Sequence, residues 1–480
     1  MTSSCISPET QKQLNEKEKY KQLASEKISG QPYKTKRPSQ EDRKFVSQSV
    51  EAEINRVKKL IKDPKLSWMF ENCFPNTLDT TIISEGEDTF VITGDIDAMW
   101  LRDSAAQVFP YLSLAKTDES LKRLIKGVIH KQMKLIQFDP YANAFTHDEE
   151  WSEWKNDYTE MKPFIHERKF EVDSLCYPIR LSSEFYNITN DDSIFNDDYV
   201  KSVQLILKTF KEQQNMNYSK NNTNNDQKTY CFRRKTDRQF DTVCNDGLGA
   251  PMRPCGLIRS YFRPSDDATV FPFLIPSNFM AVKILRQLSN LFRNVEKIKN
   301  EEIASDCENL ANQVNEALMK HAIYEHPKYG KIYAYEVDGF GNKLLQDDSN
   351  VPSLLSLPYI SDIDIRGEIY QNTRRFVWSD DNPYFFKGQK GEGIGGPHIG
   401  LGYAWPMSLI MKALTSDNDD EIKECIKMLR DTDGDTGMMH ESFHVDNPCQ
   451  YSRIWFAWAN TLFGELVIKL VNSGKAHLLE

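Results

Sequence analysis

The chain has 480 residues, of which 39% are hydrophobic and 11% aromatic, and its formal net charge is -10 at pH 7. A chain of this size can bury a large core and form one large catalytic domain or a few ordinary ones. The negative charge disfavours nucleic acids and anionic membranes as partners, because both select basic surfaces. The sequence therefore predicts a globular protein with a neutral partner, and it does not specify an oligomeric state.

The first ten residues have neither the basic start nor the apolar centre of a secretory signal, and no apolar run is long enough to span a bilayer. A cytoplasmic location is the resulting expectation. Nine cysteines are scattered from Cys5 to Cys449 without paired spacing. This distribution is typical of free thiols and not of a disulfide framework.

Residues 1–42 are polar, and we expect them to form a flexible or weakly helical extension outside the catalytic domain. After them, apolar residues recur with the period of an α-helix. The segments with this period are 54–61, 121–129, 200–210, 303–318, 422–429 and 451–466. An Asn-rich tract at about 213–228 is predicted to be a loop insertion, and the clearest extended segment is 331–336.

These patterns predict an all-α protein with minor β-hairpins in its loops and a single catalytic domain over residues 43–480. Long loops in a compact helical protein are usually functional. The architecture typical of this profile is the (α/α)6 toroid, in which the loops at one end of six helix pairs build a pocket. A two-domain helical protein would show the same stripes, as would an α-solenoid, although no motif of fixed period supports the solenoid.

Residues 93–104 place Asp97, Trp100, Arg102 and Asp103 at the start of a predicted helix. Charged side chains hold sugar hydroxyls in fixed directions, and an aromatic ring can support the apolar face of a pyranose. A capped helix with an internal ion pair would have the same composition. This segment alone therefore leaves a sugar site and a structural role equally open.

Three later loops carry further candidates. Asp173 stands at a helix entrance, where it could also be a simple N-cap. Asp266 and Asp267 are adjacent, and crowding of two acids raises the pKa of one of them, as a general acid requires; a helix cap with a solvated acid is the alternative. The remaining candidates are His398 and Trp405, near a glycine-rich run, and Glu441, which follows a glycine-rich turn.

His440-Glu441-Ser-Phe-His444 is a literal zinc-protease motif, with Glu465 downstream as a candidate third ligand. That motif requires both histidines on one face of a continuous helix. Nearby glycines and Pro448 favour a turn here, which disfavours zinc. A dinucleotide fingerprint at 391–396 lacks the preceding strand and the following helix, and a calcium-like loop at 431–435 lacks the required glycine and glutamate positions.

Taken together, six segments resemble the signature blocks of glycoside hydrolase family 125, the metal-independent exo-α-1,6-mannosidases. The blocks are 93–108, 170–178, 263–268, 347–359, 395–407 and 440–443. The resemblance covers about residues 45–472 with all blocks in order. It implies an (α/α)6 toroid that needs no metal or other cofactor. It also implies removal, with inversion, of a non-reducing terminal α-1,6-linked mannose from mannooligosaccharides or N-glycan-type mannans.

The resemblance also implies roles for individual residues. Glu441 matches the general base, and the general acid falls in the Asp266-Asp267 pair, with Asp267 favoured and Asp266 left open. Inversion requires the two carboxylates to be roughly 6.5 to 9.5 Å apart, so that a water can enter between them. The predicted sugar-binding residues are Trp100, Arg102 and Asp103, together with Asp97, Asp173, His398 and Trp405. A mannan-binding protein without catalysis and a zinc peptidase are the competing interpretations.

Overall fold

The computed structural model describes residues 8–149, 151–214 and 230–480. Most of its regular structure is helical. In chain order the α-helices are α1 (Pro8–Ser25), α2 (Gln48–Lys58), α3 (Pro64–Cys73), α4 (Asn76–Thr80), α5 (Leu101–Val108), α6 (Leu112–Ala115), α7 (Glu119–Phe138), α8 (Val172–Thr189), α9 (Asp197–Gln214), α10 (Ile275–Asn294), α11 (Glu301–His321), α12 (Leu357–Ile360), α13 (Glu368–Val377), α14 (Pro406–Leu414), α15 (Asp419–Asp431) and α16 (Ala457–Asn472).

The helices form two layers: inner helices that are buried on nearly all sides, and outer helices that are buried on one face. Helices α5 and α14 are buried over almost all of their surface, whereas α7 and α15 bury one face only. The buried helices pack side by side: α5 on α8, α8 on α10, and α10 on α12. The arrangement closes through α16, which packs on both α14 and α5. The outer helices alternate with the inner ones in sequence, as the predicted (α/α)6 toroid requires.

Local signals explain where individual helices begin and end. The Asp118 carboxylate accepts hydrogen bonds from the backbone N–H groups of Ser120 and Leu121, which caps the start of α7. Helix α8 ends at Asn190, whose φ of 54° lies in the left-handed region. The last helix was predicted to begin near Tyr451, but it begins at Ala457, because the residues before it pair as a strand.

The strands are short, and each sheet has two or three of them. All lie in the connections between helices, as predicted. They are β1 (Ile82–Glu85), β2 (Asp88–Val91), β3 (Met99–Trp100), β4 (Ala144–Phe145), β5 (Ile165–Glu167), β6 (Phe273–Leu274), β7 (Ile323–His326), β8 (Gly330–Tyr333), β9 (Glu336–Val337), β10 (Lys343–Leu344), β11 (Phe385–Lys387), β12 (Glu392–Ile394), β13 (Tyr403–Ala404), β14 (Ser442–His444) and β15 (Asn447–Ser452). Three sheets position the site: β3-β4-β5, β10-β9-β6 and β13-β14-β15.

The N-terminal region was expected to be a flexible or weakly helical extension. Residues 8–25 form α1, and the segment that follows packs on the body of the protein. Tyr20, Ala24, Lys36 and Arg37 are buried. The apolar contact surface of this helix is a short stripe around Tyr20, which is too small to produce a clear periodic signal in a polar sequence.

Two further observations concern the whole chain. The predicted Asn-rich insertion at 213–228 lies outside the described residues, except for Gln213 and Gln214 at the end of α9. In the described ranges, no helix combines the length and the apolar character that crossing a bilayer demands.

Candidate active site

Arg102 stands at the centre of a cluster of acids. It lies in the first turn of α5, directly after β3, and only 3% of its side chain is exposed. Its guanidinium group contacts the carboxylates of Asp103 at 3.5 Å, Asp173 at 3.4 Å and Asp266 at 3.0 Å, and it also donates to Glu171. One buried cation therefore holds four acids in a fixed arrangement.

Asp266 faces this cluster because of its backbone conformation. Its φ is 64°, in the left-handed region that Asp tolerates better than most residues. The carboxylate accepts hydrogen bonds from Trp100 Nε1 at 3.3 Å, Arg102 at 3.0 Å and Asn143 Nδ2 at 3.2 Å. Three donors on three different elements thus fix one carboxylate oxygen.

The acids around Arg102 differ in protonation. Burial disfavours the charged form of Asp266, but Arg102 outweighs burial and holds the pKa of Asp266 far below its ordinary value. For Glu171, burial outweighs the attraction of Arg102 and raises its pKa well above the ordinary value. Burial likewise raises the pKa of Asp173 to about 6. Asp266 is therefore an anion at neutral pH, with no proton to donate.

Asp267 has a different environment from its neighbour. It is buried, and one carboxylate oxygen lies 3.1 Å from Nδ1 of His398. The Ser265 hydroxyl lies 3.2 Å from Asp267 and 3.3 Å from Asp348, so it bridges two acids. Burial lowers the pKa of His398, but Asp267 more than compensates and raises it to about 9. His398 therefore carries a proton at neutral pH, beside the Asp267 carboxyl group.

Glu441 belongs to the C-terminal part of the sequence. It directly precedes β14, and its backbone N–H donates to the carbonyl of Ser452 on β15 at 3.3 Å. The Ser452 hydroxyl donates to the Glu441 carboxylate at 2.8 Å, and Arg453 Nη1 lies 3.6 Å from the same carboxylate. A hydroxyl donor and a guanidinium therefore fix the position of this carboxylate.

Arg453 is itself held by a residue from the first signature segment. Asp95 Oδ1 accepts hydrogen bonds from Arg453 Nε at 2.8 Å and Nη2 at 2.6 Å. The backbone N–H of Asp95 donates to the carbonyl of Trp455 at 3.1 Å, which joins the two loops. Asp95 and Glu441 together outweigh burial and raise the pKa of Arg453. Asp95, Arg453 and Glu441 form a continuous charged chain.

Three buried polar atoms near these groups have no hydrogen-bond partner within the described part of the chain: Arg102 Nε, Asp103 Oδ2 and Trp405 Nε1. Buried polar groups are normally satisfied, and exceptions often mark binding sites. The Trp405 ring lies 6.1 Å from the ring of His398, next to Asp267. Arg102 Nε and Asp103 Oδ2 face each other as an ion pair at 3.5 Å, which leaves Trp405 Nε1 as a donor without a partner in the described residues.

The zinc motif is not assembled as a metal site. Ser442–His444 is a strand and not a helix, so the two histidines do not share a helical face. His440 stacks on Tyr451 with ring centroids 3.8 Å apart, and Glu465 accepts from the Tyr359 hydroxyl at 3.0 Å. Within the described ranges, no group of three or more His, Cys, Asp or Glu side chains is placed to hold a metal ion.

Comparison with known proteins is decisive for the family. The model of the metal-independent α-mannosidases, glycoside hydrolase family 125, matches residues 63–468. The chain belongs to this family. It is therefore a glycoside hydrolase of the α-mannosidase class, as the six sequence blocks predicted.

Two relatives of this glycoside hydrolase extend the match over most of the chain. The meiotically up-regulated gene 157 protein of Schizosaccharomyces pombe is 43% identical over 460 residues, covering 92% of this chain and 89% of the relative. A metal-independent α-mannosidase of Streptococcus pneumoniae, solved as a non-productive complex with α-1,6-mannobiose, is 41% identical. It aligns with a TM-score of 0.85 over 89% of this chain and 99% of its own.

A more distant structure supports the fold alone. A bacterial glucoamylase in complex with acarbose aligns with a TM-score of 0.54 at 11% identity, over 88% of this chain and 58% of its own. Its similarity agrees with the helical architecture described above. The predicted (α/α)6 toroid is confirmed.

The structure brings most of the predicted site residues of this α-mannosidase together. Trp100, Arg102, Asp103, Asp266 and Asp173 form one cluster; Asp267, His398 and Trp405 lie beside one another, and Glu441 contacts Arg453. Asp173 is not the N-cap of α8, because Glu171 holds that position. Its carboxylate lies behind Arg102, buried from solvent.

Asp97 differs from the other predicted residues. Its side chain is 54% exposed and pairs with Lys17 of α1. The inward-facing acid of this segment is Asp95, which the sequence analysis passed over. Alternation of side chains in an extended segment places residues 95 and 97 on the same side, so periodicity alone could not have separated them. Asn143 and Arg453 were also missed, because both lie outside the recognised blocks.

Proposed function

We propose that this α-mannosidase is an inverting exo-enzyme that removes a non-reducing terminal α-1,6-linked mannose from mannooligosaccharides or N-glycan-type mannans. The observation that carries the proposal is the 41% identity, over nearly the whole fold, to the Streptococcus pneumoniae enzyme crystallised with α-1,6-mannobiose. The charged groups of this chain supply the chemistry of such a reaction.

Asp267 is the general acid of the proposal. The neighbouring Asp266 is held as an anion by Arg102, whereas Asp267 lies 3.1 Å from Nδ1 of His398, which carries a proton at neutral pH. That proton moves from the pair to the glycosidic oxygen as the bond between this oxygen and C1 breaks. Asp348 lies near Asp267, with the Ser265 hydroxyl between the two carboxyl groups.

Glu441 is the general base. It removes a proton from a water whose oxygen forms the new bond to C1, on the face opposite the leaving group. Arg453 and Ser452 hold its carboxylate in place before the reaction. The released sugar is mannose with inverted, β configuration at C1, and the protonated leaving group is the shortened glycan.

Arg102, Asp103 and Asp266 bind the hydroxyls of the terminal mannose, while Trp100 and Trp405 form the walls of its subsite. The indole N–H of Trp405, which has no partner in the described residues, supports this assignment, because it can donate one hydrogen bond to the sugar. Asp173 maintains the position of Arg102 and does not contact the sugar. Asp97 lies at the margin of the site.

Digestion of α-1,2-, α-1,3- and α-1,6-mannobiose in the presence of EDTA tests this function. We expect mannose release from the α-1,6-linked substrate alone, with no loss of rate in the chelator. Release from another linkage would overturn the proposed specificity. Calorimetric binding without mannose release would favour the mannan-binding protein. Inactivation by EDTA would indicate a metal-dependent enzyme.

A further inference from the structure

The N-terminal segment reaches both chain segments that support Glu441. This segment comprises residues 8–37, which precede the family match at residue 63. The two supports are the loop 93–97, which carries Asp95, and the loop 433–439, which leads into Glu441. Each contact is made by a different part of the N-terminal segment.

Helix α1 contacts the first support at two points. Lys17 forms an ion pair with Asp97, although Lys17 is only 19% exposed. Tyr20 packs edge-on against Trp455, with ring centroids 4.9 Å apart. The Trp455 carbonyl accepts the hydrogen bond from the backbone N–H of Asp95, and Asp95 holds Arg453 against Glu441.

The space around the first support leaves little freedom for movement. A Cβ atom at Gly94 would lie 2.3 Å from the Trp455 carbonyl oxygen, so only glycine permits this close approach. The Tyr20 hydroxyl accepts a hydrogen bond from Asn76 Nδ2 at 2.6 Å, which fixes the ring that covers Trp455. A displacement of α1 would therefore be transmitted to the loop that carries Asp95.

The residues that follow α1 contact the second support. The backbone N–H of Ile28 donates to the carbonyl of Asp435 at 2.8 Å. Tyr33 stacks on Trp68 with ring centroids 4.8 Å apart, and Trp68 Nε1 donates to the carbonyl of Lys34 at 2.6 Å. A Cβ atom at Gly437 would meet the Trp68 ring at 2.5 Å, so this ring lies directly against the loop before Glu441.

We propose that residues 8–37 form a positioning element of the active site, which holds Asp95 and the Gly437 loop so that Glu441 and Arg453 remain aligned for attack by water. Lys17 and Tyr20 are its positioning residues. They contact none of the groups assigned to the sugar, and they act on the base from behind. The inference rests on the proposed role of Glu441 as general base.

This role predicts a loss of kcat that exceeds any change in KM, because Arg102 is held by Asp173 and Asp266, which lie outside both supports. A misplacement of about 1 Å can reduce a rate by on the order of 10²-fold. We expect Tyr20→Ala to lower kcat by on the order of tenfold and Lys17→Ala by a few-fold, with KM for α-1,6-mannobiose nearly unchanged. Lys17→Arg, which retains the cation, should restore most of kcat.

The acidic limb of the kcat–pH profile supplies a readout that general destabilisation would not move. If Arg453 and Glu441 are less well aligned, the form of this limb changes, because the profile reports the acid and base of the bound complex. Lys19→Ala is the matched control, because Lys19 is on the same helix, is 74% exposed and pairs with Asp42. It should leave kcat, KM and the pH profile unchanged.

All variants are measured in the full-length chain, with thermal unfolding monitored in parallel. If Tyr20→Ala does not fold, Lys17→Ala and Tyr20→Phe decide the outcome; Tyr20→Phe should retain most of kcat because it keeps the ring on Trp455. Wild-type kcat and pH profile in Lys17→Ala and the folded Tyr20 variants would overturn the positioning role. Full activity of Glu441→Gln would instead overturn the proposed function on which this role rests.

Discussion

Asp266 and Asp267 are adjacent in sequence, yet their carboxyl groups contact different partners. Asp266 accepts hydrogen bonds from Trp100, Arg102 and Asn143, and the guanidinium keeps it ionised. Asp267 contacts an imidazole and a serine hydroxyl that also bridges to another acid. The left-handed backbone of Asp266, with a φ of 64°, allows two consecutive carboxylates to face different partners.

This difference shows how one short loop can carry a binding group and a reacting group. A carboxylate that must hold a sugar hydroxyl benefits from a permanent negative charge and several fixed donors. A carboxylate that must protonate a leaving group needs access to a proton at neutral pH. The distinction is therefore set by surrounding residues from four separate loops, and not by the identity of the acid.

The strongest test of this difference between binding and reacting groups is to remove each reacting carboxylate. Asp267→Asn and Glu441→Gln should each lower kcat by roughly 10²- to 10⁴-fold, because proton transfer to the leaving group or from water is lost. KM should change little. Steady-state kinetics on α-1,6-mannobiose measure both constants, and near-normal kcat in either variant would contradict the assignment of its role.

Asp266→Asn should have a smaller effect of a different kind. Loss of the anion weakens a hydrogen bond to the sugar and the ion pair with Arg102, and hydrogen bonds to charged groups contribute about 1.5 to 3 kcal/mol. We expect kcat/KM to fall by roughly 10- to 100-fold, mainly through a higher KM. A loss confined to kcat and as severe as that of Asp267→Asn would exchange the two roles.

The proton shared by Asp267 and His398 can be tested through the basic limb of the kcat–pH profile. Asp267 outweighs burial and raises the pKa of His398 to about 9, so the pair keeps its proton through neutral pH. Removing the imidazole in His398→Ala takes away this reservoir, and the basic limb should move to lower pH with a modest loss of kcat. An unchanged limb would show that His398 does not supply the proton.

The order of the blocks along the sequence was sufficient to predict the fold, and it named most of the residues that the structure brings together around Arg102 and Asp267. It could not distinguish Asp266 from Asp267, because the distinction depends on one positive φ and on partners such as Asn143 and His398, which are distant in sequence. The helical period was equally informative for the long amphipathic helices. It did not predict the strand that precedes α16, and this helix therefore begins later than expected, at Ala457.

The sequence analysis also did not predict the packing of the N-terminal region or the Asp95–Arg453 pair. Lys17 and Asp97 are 80 positions apart, and their pairing follows from the way α1 packs, which no local pattern records. Asp95 and Asp97 are the same residue type in the same motif, so residue type does not distinguish them. Only the contact of Asp95 with Arg453 identifies it as the inward-facing acid.

His440, which precedes Glu441 in sequence, is buried and neutral. We expect it to have the smallest effect on catalysis and to act on stability instead. Burial lowers the pKa of His440 to about 4 from its ordinary value of 6.5. Below pH 6.5 the unfolded chain binds a proton that the folded chain does not, so stability falls as the pH decreases from 6.5 to 4. This group accounts for a loss of about 3 kcal/mol of unfolding free energy across that window.

Denaturant unfolding at several pH values measures this contribution. His440→Phe keeps a ring stacked on Tyr451 and removes the titrating group, so its stability should decline less between pH 6.5 and 4 than that of the wild type. His477→Gln is the control, because the His477 side chain is 60% exposed. An identical decline in His440→Phe and the wild type would show that His440 does not remain neutral in the folded protein.

The stereochemistry of the first product tests the central claim most directly. Proton NMR during hydrolysis of α-1,6-mannobiose distinguishes the two anomers of the released mannose before they interconvert. If Asp267 and Glu441 act as acid and base on opposite faces of the sugar, β-mannose appears first and α-mannose follows by mutarotation. Initial release of α-mannose would indicate retention and would contradict the proposed mechanism.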